Sequence, residues 1–136
     1  MDFHSNPAGD SAGQIAGMIA ALSHIDAAGF HGIDMALGES SPIGDSAWSG
    51  QVRNAWIAAA AIEWPEPLQP LVKAFTDATA TLTAALHRGD VVAASAPARE
   101  SHAAQHRLSN AGWGYLAQAV GIQGEDDMHS PQHPVP

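Results

Sequence analysis

Three stretches of this chain cannot continue a helix, and they cut an alanine-rich sequence into four pieces of helical length. They are Gly38-Glu39-Ser40-Ser41-Pro42-Ile43-Gly44, Pro65-Glu66-Pro67-Leu68-Gln69-Pro70 and Gly89-Asp90. Proline lacks an amide proton and restricts the residue before it, while Gly followed by Asp reads as a helix stop and then an N-cap. Between the breaks there are no β-branched runs bounded by turns, and alanine loses no side-chain entropy in a helix. The expectation is an all-α protein.

Apolar spacing fills in the four pieces. The first helix is expected from an N-cap at Asp10 or Ser11 to about Leu37, with an apolar stripe of Ile15, Met18, Ile19, Leu22, Ile25, Gly29, Phe30, Ile33 and Leu37. The second, capped by Asp45 or Ser46, ends at Trp64 and packs through Trp48, Val52, Ala55, Ala59 and Ile62. The third runs to about Arg88 on Leu68, Leu71, Phe75, Ala78, Leu82 and Ala85. The fourth covers Val91 to Val120, with Pro97 kinking or restarting it. Short connections between such helices give an antiparallel up-down-up-down four-helix bundle. One domain is expected over 11–120, with a flexible lead-in at 1–10. A disordered tail is expected over 121–136, where Glu125-Asp126-Asp127 and three prolines fall. The alternative architecture is a helical hairpin that completes its core as a homodimer. Gly13, Gly17 and Ala21, spaced by four, would admit another helix, or are simply small surface residues.

A chain of 136 residues is long enough to bury a core without staples. Its 14 acidic residues against 5 basic ones, a formal charge of -9, argue against nucleic acid and anionic membrane surfaces, which need clustered Lys and Arg. The absence of Cys excludes disulfides, thiolate metal sites and Cys nucleophiles. The N-terminus carries no basic segment followed by an apolar one. The apolar stretch Ala55 to Ile62 is far short of a membrane span. A soluble, cytoplasmic protein is expected. Gly-x-Ser-x-Gly and phosphate-binding Gly-rich loops are missing.

What stands out is eight histidines beside five basic residues. His4, His129 and His133 fall in the loose ends, His24 and His31 on the face of the first helix opposite its stripe, and His87 near the end of the third. On the fourth helix, Val92, Ser95, Arg99, His102, His106, Ser109, Trp113, Leu116 and Val120 follow steps of three and four. That is the spacing of an inward seam. Its middle is polar, so it needs partners or a ligand, since each unsatisfied group costs about 1 to 3 kcal/mol. His102 and His106, four apart, share one face and suit a single divalent transition metal such as Zn, Fe, Ni or Cu. The plain alternative is two imidazoles hydrogen-bonded at the core edge.

If the fourth helix starts level with the end of the first, a rise of about 1.5 Å per residue sets the two histidines level with residues 22–26. Asp26 is then a metal ligand, a carboxylate orienting an imidazole, or the acceptor of a plain Asp-His hydrogen bond. Arg99 and Ser109 lie beside this site, and Trp113 can wall it. Glu63 and Asp77 are weaker inward candidates. Without any Glu-x-x-His, a ferritin-like di-iron centre is set aside. Haem between His106 and Met18 or Met35 ranks below a bare metal, and no C-x-x-C-H is present.

Two short segments carry resemblances. Trp48-Ser49-Gly50 resembles the WXG motif at the hairpin bend of the small secreted WXG100 proteins. Here, however, Pro65, Pro67 and Pro70 break the second arm, and Ala119 stands where a tyrosine-based secretion signal after Tyr115 would need an acid. His102-Ala-Ala-Gln-His106-Arg107 is similar to the HxxxHR segment of DinB-type metal-binding bundles. The further histidine those bundles carry on another helix has no counterpart on the second helix here. Neither assigns a family.

Two functions are therefore expected to compete. One is a bundle with a polar site of His102, His106 and Asp26 flanked by Arg99, Ser109 and Trp113. It would bind a metal that leaves positions open for water or substrate, or a small anionic ligand held by Arg99 and the histidines. The other is a metal-free, WXG-like interaction protein that dimerises through Gly13, Gly17 and Ala21.

Overall fold

A computed structural model describes the backbone of residues 7–40 and 44–132 and the side chains of 12–40 and 44–120. The five α-helices are α1 (Pro7–Asp26), α2 (Phe30–Leu37), α3 (Trp48–Ala60), α4 (Gln69–His87) and α5 (Val91–Gln132), with a 3-10 turn at Glu66–Leu68. The chain is an all-α, four-helix bundle whose first arm is broken into α1 and α2. The first arm packs on α3 and α5, and α4 closes the ring by packing on both α3 and α5.

The break is the first departure from the expected single helix. Gly29 adopts φ 86° and ψ 27°, a left-handed conformation that side chains resist and glycine accepts freely. A Cβ there would meet nothing within 4 Å, so the constraint is backbone conformation and not space. Ala27 and Ala28 supply no bulky side chain to hold the helix together across this point. Beyond the break the apolar phase resumes: Met18, Leu22 and Ile25 of α1 and Phe30, Ile33 and Leu37 of α2 are all buried.

The expected cap at Asp45 or Ser46 gives way to Ala47, which makes no side-chain cap; Asp45 Oδ1 instead closes a turn just ahead of α3 by accepting from the Ala47 amide at 2.8 Å. Val52, Ala55 and Ala59 are buried as expected. The helix ends at Ala60, earlier than Trp64, because Trp64 turns back to donate its Nε1–H to the Ala59 carbonyl at 2.7 Å. An indole thus occupies one of the carbonyls that a helix end leaves unpaired. In α4, Phe75, Leu82 and Ala85 are buried, and Phe75 meets Phe30 edge-to-face at 5.5 Å. The buried Thr79 donates to the Phe75 carbonyl at 2.8 Å. Between α4 and α5, Gly89 (φ 73°) leads a two-bond helix stop. Its amide donates to the Leu86 carbonyl and that of Asp90 to the Ala85 carbonyl, both at 3.0 Å. Asp90 Oδ1 then caps the Ala93 amide at 3.0 Å.

The α5 seam lies one residue away from its expected phase. Ala94, Ala98, Ser101, Ala104 and Leu108 face the core; of the expected seam Ser109 and Leu116 are buried, whereas Val92 is 77% exposed and Arg99, His106, Trp113 and Val120 are exposed as well. Small side chains let α5 lie close to its neighbours, and an alanine-rich face contrasts little with its surroundings, so larger residues one step away mimic a seam. α5 passes through Pro97 without interruption. Its helical assignment continues to Gln132. The side chains of the expected tail, 121–136, fall outside the described residues, as do the lead-in residues 1–6. Gly17 and Ala21 are used within the chain: a Cβ on Gly17 would touch Ile62 at 3.4 Å, and Ala21 is buried. Among the described residues, no helix is long and apolar enough to cross a membrane.

Candidate functional site

His102, Gln105, His106, Ser109 and Trp113 lie on one side of α5, separated by three, one, three and four residues, and meet the broken arm along its length. Two carboxylates of that arm receive them. Near the end of α1, Asp26 accepts three hydrogen bonds: from Gln105 Nε2 at 2.9 Å on Oδ1, and from Ser109 Oγ at 3.0 Å and Trp113 Nε1 at 2.9 Å on Oδ2. A negative charge at a helix C-terminus opposes the macrodipole, and these donors offset that cost while pinning α1 to α5 just before the Gly29 break.

The second carboxylate is Asp34 of α2. Its Oδ2 lies 2.8 Å from His102 Nδ1, with the side chains only 16% (His102) and 23% (Asp34) exposed. His102 Nε2 in turn faces His106 Nε2 at 3.0 Å, the rings 4.7 Å apart. A His102 Nδ1–H donating to Asp34 would leave Nε2 with a lone pair, to which the Nε2–H of His106 could donate. His31, also on α2, sets its ring edge-on to His102 at 5.1 Å.

The structure therefore divides the expected site. It unites His102 with His106, and Asp26 with Ser109 and Trp113, but it does not bring Asp26 to the histidines. The partner of His102 is Asp34, eight residues farther along the arm, or about 12 Å of helical rise. The register of α5 against the arm accounts for this. A Cβ on Gly44 would stand 2.9 Å from Val91, so α5 begins level with Gly44 and not with Leu37. The same register sets Leu22 against Gly112, where a Cβ would lie 2.8 Å from Leu22 Cδ1. Asp34, Gln105 and His31 were not picked out by periodicity; a register that allowed for the length of the 38–47 connection would have pointed to Asp34.

Arg99 is also apart from the histidines. It lines a groove of about 400 Å³ between α4 and α5 with Ala74, Ala78, Glu100, Ala103, Ala104 and Arg107. Asp77 is exposed and hydrogen-bonds Lys73 at 2.8 Å, which holds the lysine above its usual pKa. Glu63 is exposed, and its backbone carbonyl accepts from Gln14. Met18 is fully buried in the core and Met35 is exposed on α2. Among the described residues, no group of three or more His, Asp or Glu side chains converges as a ready metal cage. Compared with known protein families, curated proteins and solved structures, the chain matches none.

Proposed function

We propose that this bundle binds a divalent transition metal through Nε2 of His102 and Nε2 of His106, with Asp34 orienting His102. The observation that carries the reading is the chain of contacts Asp34 Oδ2, His102 Nδ1, His102 Nε2, His106 Nε2, at 2.8 and 3.0 Å. Hydrogen-bonding Nδ1 to a carboxylate fixes the tautomer and raises the basicity of the opposite nitrogen, as in carboxylate–histidine–metal arrangements. Two nitrogens each about 2.1 Å from one ion and about 90° apart stand about 3.0 Å from each other. The two ring nitrogens are thus already spaced for one ion, which both rings would turn to face. His106 is exposed, so the remaining positions on the ion are open to water or a small anionic ligand, a setting suited to Lewis-acid chemistry.

The test is calorimetric titration of tag-free protein with Cu(II), Ni(II) and Zn(II), alongside metal analysis after purification. One equivalent should bind to the native chain and none to the His102→Ala/His106→Ala variant, whose helical circular dichroism should be unchanged. A native chain that takes up no metal would sink the reading.

A further inference from the structure

α5 is 42 residues long, and α4, which runs antiparallel to it across the tight Gly89-Asp90 turn, is 19. At equal rise per residue α4 accompanies α5 only to about Asn110, and the longer helix runs on beyond its reach. Where the two helices run together they leave the groove of about 400 Å³ flanked by Arg99 and Arg107, with Ala74, Ala78, Ala103 and Ala104 between them. These are two of only five basic residues in a chain of formal charge -9, and neither makes a hydrogen bond or ion pair among the described residues. Glu100 on the same lining offsets one of them, so the groove keeps a net positive charge. Small side chains between cations admit a closely packed helix that carries an acid.

That acid is found farther along the same helix. Arg99, Ala103, Arg107, Asn110 and Gly114 follow one another at steps of three and four and are all exposed, so they share one face of α5. The same steps lead through Ala117 and Gly121 to position 125, a glutamate, within a helical course that extends to Gln132. Glu125 stands eleven residues past Gly114, and Ala103 stands eleven before it. Two α5 helices laid antiparallel with their Gly114 residues together therefore set position 125 of each opposite Ala103 of the other, with Arg99 and Arg107 one turn, about 6 Å, to either side. The length of α5 that outruns α4 in one copy then lies beside α4 in the other. Gly114 admits this approach, since a Cβ there would meet nothing of its own chain within 4 Å.

We infer that this chain forms a homodimer through α5, antiparallel about a two-fold axis at Gly114, in which Glu125 of each copy enters the Arg99–Arg107 groove of the other. The interface uses none of His102, His106 or Asp34, so it stands apart from the metal reading.

The test is sedimentation equilibrium of the full chain over a wide concentration range, in low and high salt. The native protein should dimerise, more weakly in high salt because its ion pairs lie at the surface. Gly114→Leu should weaken the dimer at least about 10-fold, while urea unfolding shows a monomer no less stable than the native one, because leucine is the better helix former and has room. Arg99→Glu/Arg107→Glu and Glu125→Arg should each weaken the dimer at least about 10-fold, each change counting twice in a symmetric pair, and combining them should restore it to within about threefold of native. Asp127→Arg makes the same change of charge two positions on, away from this face, and should alter affinity by less than about threefold. A native chain that stays monomeric throughout, a dimer indifferent to Gly114→Leu, a charge exchange without recovery, or Asp127→Arg as disruptive as Glu125→Arg would each overturn the inference.

Discussion

Asp26 and Asp34 stand eight residues apart on one arm and meet the same side of α5, yet their carboxylates are engaged in different ways. Asp26 receives three donors, from an amide, a hydroxyl and an indole, none of which ionises near neutral pH. Its surroundings are complete, and their consequence is architectural: the end of α1 is held against α5. Asp34 receives one ring nitrogen, and the chain it starts ends at an exposed imidazole. That second arrangement is open at its far end. A carboxylate whose neighbours are all satisfied secures a helix, whereas one at the head of an incomplete relay prepares another group to bind.

The contrast can be broken most forcefully at the complete end. Asp26→Ala leaves Ser109, Gln105 and Trp113 without their acceptor. With hydrogen bonds to a charged group worth roughly 1.5 to 3 kcal/mol each, and two of the donors at partly solvated positions, the variant should lose about 2 to 3 kcal/mol. Urea unfolding measures this, and metal affinity should stay within about twofold because no ligand is touched. A loss of metal binding as great as the loss of stability would mean that the two carboxylates act as one site. Asp34→Asn sharpens the other side. Metal affinity should fall about 10- to 100-fold, the usual effect of removing the partner of a ligating histidine, with stability changed by less than about 1 kcal/mol. Titration and urea unfolding of the same preparation separate the two effects, and a stability loss exceeding that of Asp26→Ala would reverse the assignment of roles. The smallest effect is expected between the two acids. Gly29→Ala must place a side chain at φ 86° and should cost about 1 kcal/mol, again read from urea unfolding. A stabilised variant would show that the left-handed break is not needed.

The division between what could and could not be read beforehand follows from the strength of each local signal. Gly89-Asp90, the prolines at 65, 67 and 70, and the apolar spacing of Val52, Ala55 and Ala59 are strong, short-range signals that determine helix ends and faces. The bundle was legible from these. The phase of α5 was not, because Ala94, Ala98, Ser101 and Ala104 give the core-facing side little apolar contrast, while Val92, Trp113 and Val120 supplied a more prominent but exposed alternative. Gly29 was read as part of a stripe because a single glycine is compatible with a helix until backbone conformation decides otherwise. The pairing of His102 with His106 on one face of α5 was legible in their spacing. Its carboxylate was misplaced because register is a long-range property. Adjacent helices slide past one another by whatever the connection between them permits, and no window of local periodicity contains that information.

The position of Gly44 against Val91 marks how far the arm has slid along α5. It works as a vernier. Two acids eight residues apart on one arm, read against one ladder of polar side chains on α5, offer two alignments of similar chemistry. In the longer one Asp34 meets His102; in one shortened by eight residues Asp26 would take its place. The register of the arm against α5 therefore decides which carboxylate the histidines meet.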